Sequence, residues 1–296
     1  MTIRVIFAPL AGRASDKSVL AAAQCVAKRF GAHIDVVSMR SDPRDAIPYL
    51  GEGLSGAFVE EFISQAEKET EIKARQARLD FDSWRDSTGF AFAESYAKAI
   101  ELLGPENCSP SCSWREVADA SSHSAANYGR LADLIIAPRG DLDGDVENEA
   151  GFETNLLHSG RPVLLAPPVP QEDFGGRIAI AWDGSAEAAR AVGAALPFLA
   201  AADTVTAISV AEDGKTEAPL EALARYLSWH GIQADTRNVA QGSVTIGEAL
   251  LGAVRHDSAD FLVMGAYSHS RVRELVFGGA TRYILDDSAM PVLMTH

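Results

Sequence analysis

Short uninterrupted apolar runs alternate along this chain with stretches whose apolar residues recur at helical spacing. Val5-Ile6-Phe7-Ala8 is one such run, and Val19, Leu20, Ala23, Val26 and Ala27 behind it line one helical face. Ile178-Ala179-Ile180-Ala181, followed by Ala188, Ala191, Val192, Ala195 and Leu199, repeats the pair. A continuous apolar run is what a strand needs when both faces of a parallel sheet are covered. Strand and helix in alternation predict right-handed crossovers and a doubly wound α/β sheet.

Three landmarks recur in the same order, which points to a duplication. Arg4 to Gly12 resembles Arg177 to Gly184, each a basic residue, an apolar run and a glycine. Ala132-Asp133-Leu134 resembles Ala259-Asp260-Phe261, and Arg161-Pro162-Val163-Leu164 resembles Met290-Pro291-Val292-Leu293. In the second copy, strands are expected near 177–182, 204–210, 235–240, 260–265 and 291–295. Pro167-Pro168-Val169-Pro170 and the polar residues after it read as a linker, giving two Rossmann-type domains over 1–168 and 175–296. The first copy carries about forty to fifty extra residues between its second and third strands. Within them, Ala57 to about Trp84 reads as a helix, either an interaction arm or an amphipathic helix packed on its own domain. The last strand of each copy, Pro162–Leu165 and Pro291–Met294, is expected at a sheet edge, where apolar strands invite pairing. The two copies are therefore expected to form an intramolecular pseudo-dimer, and a homodimer is a further expectation.

Size agrees with this division, since 296 residues suit two domains of about 150 each. A net charge of −15 and the lack of a Lys/Arg stripe argue against nucleic acid as a partner. No stretch approaches the ~18–20 apolar residues of a membrane span. The N-terminal residues run into a strand pattern with no basic leader, so a cytoplasmic protein is expected. Three cysteines, Cys25, Cys108 and Cys112, are not a disulfide framework, and no Cys/His pair at metal-ligand spacing accompanies them.

In an open α/β sheet, ligands bind beyond the carboxyl ends of the strands, where the strand order reverses. Asp183 stands there in the second copy, suited either to ribose or nucleobase hydroxyls and amines or to a helix N-cap. Further on, Met264-Gly265 ends a strand, Ser268 follows in a loop, and Gly278-Gly279 precedes a helical segment from Thr281. Glycines at a helix start expose N–H groups at the positive end of the dipole, a setting for phosphate.

These residues resemble the universal stress protein family in its tandem two-domain form. Its fold is of the adenine nucleotide alpha hydrolase-like type. The ATP-binding members carry Gly, two residues, Gly, nine residues, then Gly and Ser or Thr. Here the positions are Gly265, Ser268, Gly278 and Gly279, so the spacing is kept while Ser268 and Gly279 depart in identity. The resemblance implies a bound ATP or ADP, with or without Mg, and Asp183 toward ribose or adenine. Val210 would meet the adenine edge through its backbone, Gly265, Ser268, Gly278, Gly279 and Ala280 would surround the phosphates, Thr281 would bring a hydroxyl near them, and Met264 completes the cofactor-binding set.

The first copy lacks these features. Ala11 stands in the place of Asp183, and the loop Pro138 to Gly151 holds five carboxylates, which repel a triphosphate. Gly214-Lys215-Thr216 lacks the glycine a Walker loop needs, and His269 has no nucleophile or metal partner in view. The expected function is that of a non-catalytic, nucleotide-binding stress-response regulator. The alternatives are an interaction scaffold with vestigial sites and a slow ATPase.

Overall fold

The computed structural model describes residues 2–40, 56–102, 104, 109–118, 122–139, 146–211, 219–267 and 279–296. The first half runs β1 (Val5–Leu10), α1 (Asp16–Phe30), β2 (His33–Arg40), α2 (Gly56–Thr88), β3 (Ala91–Phe92), α3 (Tyr96–Leu102), β4 (Ser111–Ala118), α4 (Ser122–Gly129), β5 (Leu134–Ala137), α5 (Val146–His158) and β6 (Val163–Leu165). The second runs β7 (Arg177–Ala181), α6 (Ala186–Ala200), β8 (Thr204–Ala211), α7 (Leu220–Trp229), β9 (Asp235–Ala240), α8 (Ile246–His256), β10 (Phe261–Gly265), α9 (Gly279–Asp287) and β11 (Val292–Thr295).

All the described strands join one sheet in the order β3-β4-β2-β1-β5-β6-β11-β10-β7-β8-β9. From the centre of the sheet outward, each half has the same order, with β3 added at one edge. Pairing is parallel within each half. At the centre β6 meets β11 antiparallel, Leu164 opposite Leu293, so the two edge strands cover each other. The carboxyl ends of the first-half strands therefore point to the opposite rim of the sheet from those of the second half.

Alternation along each strand sends side chains to two cores. Ile6, Ile34, Val36, Ile178, Ile180 and Ala207 pack on one face, with residues of α1, α2, α6 and α7. Phe7, Val37, Ile135, Ala179, Ile208 and Leu262 pack on the other, with residues of α5, α8 and α9. The first core crosses the junction: Phe30 of α1 meets Phe198 of α6 edge-on at 5.0 Å, and Phe198 meets Phe261 at 5.1 Å. The stretch expected to be a linker is stitched down as well. Phe174 is buried against Phe261, and Arg29 donates to Gly175 O at 2.8 Å and pairs with Asp173.

Several expectations shift in detail. The helix expected from Ala57 to Trp84 extends over Gly56–Thr88 and packs on its own half through Ala74, Ala77 and Phe81. The short edge strand β3 and helix α3 carried no periodic signal long enough to read. Helix α5 starts at Val146, inside the stretch expected to be an acidic loop to Gly151. Sheet register places Ile6 opposite Leu134 and Ile178 opposite Phe261. Gly12 then aligns with Gly184 and Ala11 with Asp183, while Arg4 aligns with Gly176 rather than with Arg177.

Candidate functional site

In each half the strand order reverses beside the first strand, between β1 and β5 and between β7 and β10. In the second half, the turn after β7 forms one wall of that crevice. Gly184 takes φ +77°, which turns the chain into α6. Ser185 is the N-cap, its hydroxyl accepting Ala188 N–H at 3.1 Å. Asp183 is exposed, and its Oδ1 accepts Ser185 N–H at 2.9 Å, an Asx-type turn. The N-cap expected as one role for Asp183 belongs instead to Ser185, and Asp183 braces the turn two residues before it. Its other oxygen accepts no hydrogen bond from the described residues.

Beside it, the β7–β8 ladder ends with Trp182 N–H donating to Ile208 O at 2.8 Å. Alternation then turns the N–H and C=O of Val210 toward the crevice, one step past the last ladder bond. The indole Nε1 of Trp182 is buried without a hydrogen-bond partner among the described residues. A buried donor left without an acceptor is uncommon. Trp182 escaped the sequence reading; an aromatic residue at a strand's carboxyl end was the available signal.

The opposite wall is the end of β10. A Cβ on Gly265 would lie 2.5 Å from Ala188 N and 2.7 Å from Glu187 C, so the glycine lets the strand end press against the first turn of α6. Thr295 Oγ1 donates to Glu187 O at 2.9 Å and holds the same turn from β11. Met264 is buried in the core, leaving only its backbone for the crevice. Tyr267, two residues past Gly265, takes φ +60°, a left-handed conformation uncommon for an aromatic residue, as the chain leaves the sheet. Ser268, Gly278 and His269 lie outside the described residues, as does Gly214-Lys215-Thr216.

Helix α9 connects β10 to the parallel strand β11, so its N-terminus opens at the same rim as Asp183 and Val210. Its first turn carries no acidic side chain, leaving Gly279, Ala280 and Thr281 to present N–H groups and the positive dipole end. Thr281 is 5% exposed and shares the buried face with Ile284. Its backbone, rather than its hydroxyl, reaches the rim. A close approach fixes α9 against α8, where a Cβ on Gly247 would lie 2.6 Å from Tyr283 Cβ and 3.2 Å from Ala280 Cα.

At the equivalent first-half position, helix α2 closes over the turn after β1. Gly12 has φ +71°, and a side chain there would run into the Lys73 carbonyl of α2. Asp16, 2% exposed, accepts Gly12 N–H at 2.8 Å and Ala11 N–H at 3.2 Å. Burial pushes its carboxyl up to about 6 against those backbone donors. Pro138 and Arg139 stand in register with Gly265 and Ala266. Cys112 is buried in β4 and Cys25 in α1, where Cys25 donates to Asp173 at 3.4 Å; Cys108 lies outside the described residues.

A doubly wound sheet whose strand order reverses between β7 and β10, with a helix N-terminus at the same rim, defines a Rossmann-type fold. Residues 176–296 match the model of the universal stress protein family. Universal stress protein Slr1230 of Synechocystis sp. (strain ATCC 27184 / PCC 6803 / Kazusa) is 26% identical over 167 residues, 54% of this chain. That match spans 56% of the relative, about half its length. A universal stress protein from Archaeoglobus fulgidus DSM 4304 superposes at a TM-score of 0.67 and 17% identity, over 98% of this chain and 97% of its own. A structure from Pseudomonas aeruginosa UCBPP-PA14 does so at 0.55 and 15% identity, over 99% and 93%. These two share the fold with both halves. Among the described residues, no helix is long and apolar enough to cross a membrane.

Proposed function

We propose that the second half binds an adenine nucleotide, ATP or ADP with or without Mg, and that the chain is a cytoplasmic, non-catalytic regulator of stress responses. The observation that carries this reading is the meeting, at one strand-order reversal, of three separate elements that the family spacing had singled out. They are Asp183 after β7, Gly265 after β10 and the α9 N-terminus at Gly279. Asp183 serves the ribose or adenine through its unengaged oxygen, and the Val210 backbone reads the adenine edge. Gly265, Ala280 and Thr281 offer backbone to the phosphates, with Ser268 and Gly278 from the connecting segment. We read the chain as two copies, 1–168 and 175–296, joined as an intramolecular pseudo-dimer through β6 and β11; assembly into a homodimer would use surfaces outside that junction. The closing of α2 over the first-half turn supports one nucleotide per chain.

Binding acts by mass action, stabilising the liganded conformation by an amount set by nucleotide concentration over Kd. The test is chromatography of acid-released small molecules from purified protein, followed by thermal melts with Mg-ATP and Mg-ADP. Co-purified adenine nucleotide, or a rise in melting temperature saturating at one equivalent, is expected. Neither outcome appearing would leave an interaction scaffold. Steady phosphate release from ATP, lost in Asp183→Ala, would replace the non-catalytic reading with a slow ATPase.

A further inference from the structure

Because the halves meet antiparallel at β6 and β11, helix α9 runs from the rim that carries the second-half crevice to the rim that carries the first. Its N-terminus opens on the proposed phosphate position. Its C-terminus ends beside the residues that follow β5, in the first-half crevice. There Arg139, 8% exposed, donates from one terminal nitrogen to Leu285 O at 2.6 Å and to Ile284 O at 3.4 Å. Those carbonyls belong to the last turn of α9, where the dipole is negative; Ile284 O also accepts Ser288 N–H at 3.2 Å. Asp286 and Asp287 act on the guanidinium through their charge, while its Nε and other terminal nitrogen are buried without a hydrogen-bond partner among the described residues. Burial lowers Arg139 to about 10, so it stays charged at neutral pH and forms a charge-assisted clamp. Arg255 of α8 also reaches this end, donating to Asp287 O at 3.2 Å.

Arg139 stands in the chain where Ala266 stands in the second half. The first half has thus placed a clamp on its neighbour's helix at the position from which the second half leads into its phosphate segment. Elsewhere along its length, α9 is held by its close packing on Gly247 and by the buried Ile284.

We propose that Arg139 is a positioning residue for the second-half nucleotide site, holding α9 where the Gly279, Ala280 and Thr281 N–H groups meet the phosphates and coupling the two crevices through that helix. This rests on the reading of the second half as a nucleotide site. A displacement of the clamp travels along a rigid helix of nine residues, so a change at the first-half rim is felt at the second-half site.

The test uses the full chain as wild type, Arg139→Gln and Arg139→Lys, with calorimetric titration of Mg-ADP and amide hydrogen exchange read separately over α9 and α6. Arg139→Gln is expected to weaken ADP binding about tenfold and to speed exchange in α9 while α6 keeps its protection. Arg139→Lys retains the charge and one donor to the carbonyls, so it recovers part of the affinity, to within about threefold of wild type. If Arg139→Gln fails to fold, the Lys variant is judged by the same two readouts. Wild-type affinity in the folded variants overturns the proposal, as does equal loss of protection in α6 and α9, which marks general destabilisation. A wild-type chain that takes up no ADP overturns the nucleotide reading itself, a result distinct from either.

Discussion

Two glycines of one loop motif, Gly265 and Gly279, make opposite structural demands, and replacing each by alanine separates them. At Gly265 a new Cβ would face backbone atoms of α6, 2.5 Å from Ala188 N and 2.7 Å from Glu187 C, and 2.8 Å from Glu187 Cβ. Ordinary contact begins at 3.4 Å, so the first turn of α6 has to retreat by about 0.9 Å. That turn is held by the Ser185 cap and by Thr295, so it does not yield as a free side chain would. Overpacking of this kind costs about 2 kcal/mol. At roughly 2–4 °C per kcal/mol for a chain of this size, the melting temperature falls by about 4–8 °C. The retreat also moves Asp183 away from the end of β10, so nucleotide affinity falls with stability. At Gly279, by contrast, no described residue lies within 4 Å of a new Cβ and the backbone is not left-handed. Gly279→Ala should change stability by less than about 0.5 kcal/mol. Circular dichroism melts and an ADP titration on both variants decide the matter. A Gly265→Ala protein melting within one degree of wild type, or a Gly279→Ala protein equally damaged, would falsify this account of the motif.

Asp183→Ala removes the acceptor for Ser185 N–H, costing about 1 kcal/mol in a melt, and should weaken Mg-ADP by tenfold or more in calorimetry; unchanged affinity would remove Asp183 from the site. Gly12→Ala combines a left-handed backbone with a collision against Lys73 O, so a loss above about 2 kcal/mol in urea unfolding is expected. His33 bridges Ser111 Oγ at 2.9 Å and Ser113 Oγ at 3.0 Å, and Ser113 donates on to Asp35, an arrangement that suits the neutral ring. Burial lowers its pKa below 6.5, so the unfolded chain takes up the proton first and this stabilisation, full above pH 6.5, is lost as pH falls through the folded value. Asp16 acts in the opposite sense: its value of about 6 against 3.8 makes the folded chain bind the proton first, so stability grows as pH drops from 6 toward 3.8. Urea midpoints of wild type and His33→Gln at pH 7.5 and 5.5 should therefore diverge, the variant gaining on wild type at the acid value; parallel shifts would refute the assignment.

The alternation of apolar runs with helical stripes was enough to specify the doubly wound class. The reason is local: period and burial on both faces of a strand are written in consecutive residues. The second-half strands lie within a residue or so of their expected ends for the same reason. Gly265 and Gly279 could be singled out because a phosphate-type loop needs fixed spacing along the chain, and Asp183 because it directly follows an apolar strand run. Other features depend on residues far apart in sequence. Lys73 closing over Gly12, the orphaned indole of Trp182, and the α6 turn that demands glycine at 265 are each a meeting of two distant segments. The acidic stretch after β5 offered charge but no periodicity, so the start of α5 at Val146 was not legible. Above all, the antiparallel pairing of β6 with β11 decides that the crevices open on opposite rims and that α9 joins them. Pairing at an edge could be expected from two apolar final strands, but its register and direction follow only from how the two cores pack together across the junction.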